Sequence, residues 1–302
     1  MRICSLVSFV SLLLPSTAVA KYQTQEAQID AVRDYFDKEG FVLLRNFFND
    51  ANKKLLKQWK AASDDLFNGV FQDLYRYDRG LTKFPEHARI VETESNGQSQ
   101  IQYALGEGRE HGYKEIVMRN PGRYEISLSR IGSQVTADPL LEQLKGVIPP
   151  LLGQDLGNLT GVNMHVSLIM ATSNAAEQKW HADGEHLDMD EHQRVHCLNV
   201  FVPLIDVTER RGPTELYPAS HYVTRQESPM KIETEALRPP FAPTMKLGDI
   251  LVFDYRILHR GKPNLSKIHR PMLVFAISHP WFQDVKNWPK RSIYDSELEK
   301  EF

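Results

Sequence analysis

Two histidines and an aspartate make a candidate metal centre: His181 and Asp183, separated only by Ala182, and His259 far downstream. In extended chain, positions i and i+2 project from the same face, so His181 and Asp183 can reach one ion while Ala182 points away. A third ligand from a distant segment is what a later strand supplies when it passes beside the first. Two imidazoles and one carboxylate on one face of an iron leave three coordination positions open, the donor set of non-haem Fe(II) oxygenases. Arg270 follows His259 at the start of another apolar run. A guanidinium there can grip a carboxylate through two parallel hydrogen bonds and so fix an acid cosubstrate against the metal. Each residue also has a plainer reading, since the chain has 11 histidines and a lone arginine serves as readily in a rim salt bridge.

These residues need a scaffold, and the patterning suggests a mainly β one with flanking helices. Ile29, Val32, Tyr35 and Phe36 recur at helical spacing before Gly40, and Phe41 to Leu44 reads as a buried strand. Asn49 or Asp50 can cap a second helix carrying Leu55, Leu56, Trp59 and Ala62 on one face and ending before Gly69. Asp138-Pro139 opens a shorter helix through about Val147. From Met164 onward, short β-rich runs are separated by turns: Val166 to Met170, Val195 to Pro203, Thr214 to Tyr217, Ile250 to Tyr255 and Met272 to Ile277. That spacing favours a barrel or sandwich. With no repeat, low-complexity linker or charge block, residues 21–302 are expected to form a single domain.

Residues 1–20 read differently. Arg2 opens a short basic start, Ile3 to Leu14 is an apolar run, and Ala18-Val19-Ala20 makes a small-residue cleavage site, the pattern of a secretory signal peptide. The run is shorter than a membrane span, and no later stretch approaches one. The expected location is therefore the secretory pathway, either the endoplasmic reticulum lumen or outside the cell. The net charge of −3 gives no footing for nucleic acid. Cleavage would remove Cys4 and leave Cys197 as the sole cysteine, so no intrachain disulfide is expected, and a buried inert thiol suits its strand-like surroundings.

Four segments, in order, resemble the phytanoyl-CoA dioxygenase-like family of Fe(II)/2-oxoglutarate oxygenases. Tyr35 to Leu44 is similar to the family's opening helix and strand, and Trp180-His181-Ala182-Asp183-Gly184 to its first ligand motif. Arg211-Gly212-Pro213 leading to Pro218-Ala219-Ser220-His221 resembles its strand, turn and Pro-Gly-Ser-His segment. Leu247 to Asp254, then Leu258-His259-Arg260-Gly261 and Pro263-Asn264, resemble the second ligand segment.

The resemblance implies a double-stranded β-helix (a jelly roll, cupin-like) with flanking helices. It also implies iron held by His181, Asp183 and His259, 2-oxoglutarate held by Arg270, and O2 as the other cosubstrate. Asn199 and Phe201 fall where the family lines the cosubstrate pocket, with core packing as the alternative. The implied reaction is hydroxylation of a small molecule, or desaturation or cyclisation, with release of succinate and CO2. Asp183 argues against halogenation, which needs a small residue there.

Ala219 stands where glycine is commoner, and Met272 replaces a small or hydroxyl residue. Arg119, Arg123, Tyr124 and Arg130 could recognise an anionic or zwitterionic substrate at the site mouth, or form a solvated basic strand. Because acyl-CoA is scarce in the secretory lumen, phytanoyl-CoA itself is not the expected substrate. A catalytically silent jelly-roll binding protein and a cupin-like metal hydrolase or isomerase are the competing readings.

Other signals are weaker. Gly106-Glu107-Gly108 with Gly112 lacks the spacing and βαβ context of a dinucleotide loop. His186, His192 and His196 lie among acidic residues and read as a loop rather than a second metal site. Asn158-Leu159-Thr160 and Asn264-Leu265-Ser266 fit the N-glycosylation pattern, Asn158 being the better candidate. Oligomeric state is not legible.

Overall fold

The computed structural model describes residues 25–78, 90–95, 98–103, 113–120, 122–128, 138–154, 162–224, 237–282 and 284. The leader, Arg130, the Gly106 loop and Asn158 lie outside these residues. The apolar stripe of the first helix, α1 (Gln25–Glu39), buries Val32 and Phe36. The helix ends where Gly40 turns left-handed at φ 78° and donates its N–H to Phe36 O at 2.7 Å. A Cβ on Gly40 would stand 2.5 Å from His221 Nδ1, so close packing as well as backbone conformation calls for glycine.

Strand β1 (Phe41–Leu44) follows, then α2 (Asp50–Asp78), capped by Asn49 Oδ1 accepting the Asn52 N–H at 2.9 Å. The sequence suggests an end before Gly69, but α2 continues to Asp78. One glycine costs a helix only about 1 kcal/mol relative to alanine. Leu56, Trp59 and Phe67 dock the helix firmly enough to outweigh that. Conversely, the helix expected from Asp138 through about Val147 ends at Leu144 as α3 (Asp138–Leu144), and a separate short helix, α4 (Ile148–Leu151), follows. Pro149 lacks the N–H that would continue the first helix, and its ring would clash with the preceding turn.

The strands are β2 (Ile90–Ser95), β3 (Gln98–Tyr103), β4 (Tyr113–Asn120), β5 (Arg123–Leu128), β6 (Asn163–Ala171), β7 (Cys197–Pro203), β8 (Thr214–Leu216), β9 (Ile250–Asp254), β10 (His259–Gly261) and β11 (Arg270–Ser278). Nine of them form one antiparallel sheet in the order β1-β9-β7-β11-β6-β5-β4-β3-β2, and β10 pairs with β8 in a second layer. Isolated bridges His181↔His259 and Leu216↔Phe241 widen that second layer.

Alternation along the strands divides the large sheet into two faces. One face presents Val42, Val200, Val202, Val252, Leu273 and Phe275 to a core shared with Phe36, Leu56 and Trp59 of the helices. The other presents Phe41, Leu43, Leu251, Phe253, Met272 and Val274 to Leu216, Ile257 and Met245 of the second layer. Each fully buried leucine, valine or phenylalanine contributes about 1.5–3 kcal/mol. Two strand layers with helices on one outer face make a double-stranded β-helix, or jelly roll. Its inner face is where the candidate site lies.

A candidate metal centre beside a buried arginine

His181 and His259 face each other across the second layer, each N–H donating to the other's carbonyl at 3.0 and 2.8 Å. The strand expected through His181 and Asp183 shrinks to this single bridge, because the backbone bends beyond it. There the amides of Asp183 and Gly184 both donate to Tyr255 O, at 3.0 and 2.9 Å. That bend needs glycine at 184: a Cβ would meet Tyr255 Cδ1 at 2.4 Å. The ligand atoms of His181, Asp183 and His259 converge all the same, lying within 4.8 Å of one another. Among the described residues this is the one such group, and His186, His192 and His196 form no second one.

The imidazoles are oriented for metal binding. His181 Nδ1 lies 2.8 Å from Lys179 O and His259 Nδ1 lies 3.0 Å from Ile257 O. A carbonyl can only accept, so each Nδ1 carries the proton and the lone pair sits on Nε2, the nitrogen turned toward Asp183. Nε2 of His181 is 3.8 Å from Asp183 Oδ1, and Nε2 of His259 is 3.5 Å from Oδ2. Phe253 packs its ring 4.9 Å from that of His259. His259 is buried, whereas the side chains of His181 and Asp183 are 32% and 25% exposed, which opens the cluster on their side.

Arg270 begins β11 opposite Ala171 and is 3% exposed. Among the described residues its Nε and Nη1, both buried, have no hydrogen-bond partner. Burial, then the neighbouring Arg123 guanidinium, pulls its pKa down to about 9. Among the described residues no carboxylate pairs with it, although buried charges are ordinarily paired.

Of the residues expected at the mouth, Arg123 and Tyr124 take other places. Arg123 also lies opposite Ala171, on β5, and is 2% exposed. Its Nε donates to Ala176 O at 3.0 Å and its Nη2 to Lys262 O. Burial lowers its pKa to about 10 against the opposing pull of Glu177. Arg123 therefore holds loop carbonyls inside the fold, against Gly261, two residues past His259. Tyr124 turns to the opposite face and packs on the helix-side core. Arg119 belongs to β4, and its side chain lies outside the described residues. Phe201 is on the inner face, its ring 4.8 Å from Phe253. Asn199, expected beside the cosubstrate, donates its amide to Asp183 Oδ2 at 2.7 Å.

Asn264 was legible only as a turn residue and sequon. It is fully buried, and its Nδ2 donates to the carbonyls of Ala171, Thr172 and Ile268 at 3.1, 3.0 and 2.9 Å. An amide so engaged cannot take a glycan, and it binds the end of β6 to the segment linking β10 and β11. Gln178 adds to the same seam by accepting the Gly261 N–H at 2.9 Å. The thiol of Cys197 is buried, and burial pushes its pKa well up.

A family model described as Phytanoyl-CoA dioxygenase (PhyH) matches residues 36–272. Among solved structures, the epimerase SnoN, in complex with Fe3+, alpha ketoglutarate and nogalamycin RO, is similar at 13% identity and a TM-score of 0.56, over 88% of this chain and 92% of that one. The non-heme alpha ketoglutarate dependent carbocyclase SnoK from nogalamycin biosynthesis is similar at 14% identity and 0.54, over 87% and 91%. EvdO2 from Micromonospora carbonacea var. aurantiaca, complexed with 2-oxoglutarate, is similar at 16% identity and 0.50, over 86% and 94%. At these identities the likeness is one of fold.

Proposed function

The chain belongs to the phytanoyl-CoA dioxygenase family, and from that premise we propose that it is an Fe(II)- and 2-oxoglutarate-dependent dioxygenase acting on a small molecule. In this role His181, Asp183 and His259 hold the metal, and Arg270 grips the distal carboxylate of 2-oxoglutarate. The observation that carries the reading is a convergent donor triad in the same layer pair as a buried guanidinium with two unpartnered nitrogens. A dicarboxylate that chelates the metal at one end supplies the missing anion at the other.

When bound, iron and 2-oxoglutarate supply the oxidising chemistry, in which O2 is consumed as the keto acid becomes CO2 and succinate. The chain's own residues do the positioning. Lys179 O and Ile257 O fix the two imidazoles, Tyr255 O fixes the Asp183 backbone, and the apolar floor of Met272, Val274 and Phe201 keeps water from the inner face. Hydroxylation is the default outcome, and desaturation or cyclisation would use the same ligands. The epimerase and carbocyclase names of two similar folds agree that the scaffold accommodates more than one outcome.

The substrate is not acyl-CoA if residues 1–20 are a secretory leader, as their pattern suggests. Expression in a secreting host, followed by sequencing of the mature amino terminus, should give Lys21 as the first residue. The activity itself is tested by succinate formation from 2-oxoglutarate. It should require Fe(II) and O2 and vanish in His259→Ala, and full activity in that variant would refute the ligand assignment.

A further inference from the structure

Asn199 sits in the middle of β7 on the inner face, 4% exposed, with Ala276 of β11 on one side and Phe253 of β9 on the other. Its Nδ2 donates to Asp183 Oδ2 at 2.7 Å, which links an interior strand of the large sheet to the one ligand that stands beyond the His181–His259 bridge. Each imidazole is held by its own Nδ1–H to a carbonyl and the Asp183 amide donates to Tyr255 O, while the hydrogen bond from Asn199 acts on the Asp183 carboxylate itself.

We propose that Asn199 is a positioning residue for the metal centre: its amide fixes the plane of the Asp183 carboxylate and engages Oδ2, so that Asp183 binds the metal through one oxygen. The proposal rests on the metal assignment above. Its consequence is coordination space. A carboxylate gripping through both oxygens would fill a position that a chelating keto acid and O2 need, and a hydrogen bond to one oxygen disfavours that grip. The same rung of the sheet serves two ligands, since Phe253, opposite Asn199, packs on His259.

The test uses Co(II) alone, without 2-oxoglutarate, on the full chain. Asn199→Leu keeps the branching and volume but removes the donor. It should bind Co(II) about 10- to 100-fold more weakly than wild type, with an altered visible spectrum of the bound ion and a metal-free melting temperature close to wild type. Val200→Ala, at the next position on the helix-side face, should lower the melting temperature yet bind Co(II) within about threefold of wild type.

Co(II) affinity in Asn199→Leu within about threefold of wild type, with the same spectrum, would overturn the proposal, as would an equal loss in Val200→Ala. If Asn199→Leu does not fold, Asn199→Ala is held to the same criterion. Wild type that bound no Co(II) would bring down the metal assignment itself, a different failure from a wild type that binds Co(II) and is indifferent to Asn199.

Discussion

Replacing Arg270 with methionine should make the ligand-free protein more stable and the cosubstrate complex weaker. The methionine side chain keeps much of the length and all of the apolar character of the stem. In the free protein the guanidinium is fully buried beside Arg123, with its pKa lowered to about 9. A depression of that size corresponds to about 5 kcal/mol against the charged form, an upper figure because a relaxed site would admit water. The sign follows from linkage. Below the folded pKa both states carry the proton and the penalty is full. As pH rises through about 9, the folded state releases the proton while the unfolded state keeps it, so stability rises with pH.

At neutral pH, Arg270→Met should therefore melt several degrees higher than wild type without metal or 2-oxoglutarate, and its stability should rise less above about pH 9. Truncating one partner of a buried, hydrogen-bonded charge pair costs about 2–5 kcal/mol, or roughly 30- to 5,000-fold in affinity. Thermal melts with Fe(II) held constant and 2-oxoglutarate varied read both effects. Wild type should gain stability with 2-oxoglutarate and the variant should gain almost none. A variant that melts lower than wild type when free, yet responds to 2-oxoglutarate at the same concentrations, would refute the reasoning.

Three further substitutions probe the supports. Gly184→Ala places a Cβ where Tyr255 Cδ1 stands at 2.4 Å. It should push the Asp183 bend off its carbonyl anchor and weaken metal binding about tenfold or more, read by metal titration. Asn264→Ala removes the buried amide that the carbonyls of Ala171, Thr172 and Ile268 share and should cost about 1–3 kcal/mol in denaturant unfolding. Protein made in a glycosylating host should carry no glycan at Asn264, as checked by mass. His196 is buried, and burial together with Arg256 lowers its pKa to about 4. The unfolded chain therefore takes up that proton first as pH falls below about 6.5, and about 3 kcal/mol of stability is lost by about pH 4. His196→Phe should show a shallower acid-side loss in unfolding measured across that range.

The triad and Arg270 were legible because metal and anion chemistry restrict residue type, and such residues keep their identity whatever the backbone does around them. The strand runs were legible because β1, β7, β9 and β11 are apolar on both faces, packed between helices and the second layer. What the sequence hid were partners set by tertiary register. Nothing local to Arg123 says that its guanidinium will meet the carbonyls of Ala176 and Lys262 and not solvent. Tyr124 adjoins Arg123 in the chain, yet adjacent strand residues face opposite ways. The strand pattern puts Asn199 near the site, but its bond to Asp183 depends on how two layers stack. Tyr255 gave no signal at all, because it acts through its backbone carbonyl.

The most direct measurement is visible absorption of the anaerobic protein with Fe(II) and 2-oxoglutarate. If His181, Asp183 and His259 leave room for a chelating keto acid whose far carboxylate reaches Arg270, a weak metal-to-ligand charge-transfer band appears. It should be absent with either component alone and lost in Asp183→Ala. Iron shown to be bound, with saturating 2-oxoglutarate and no band, would contradict the assignment.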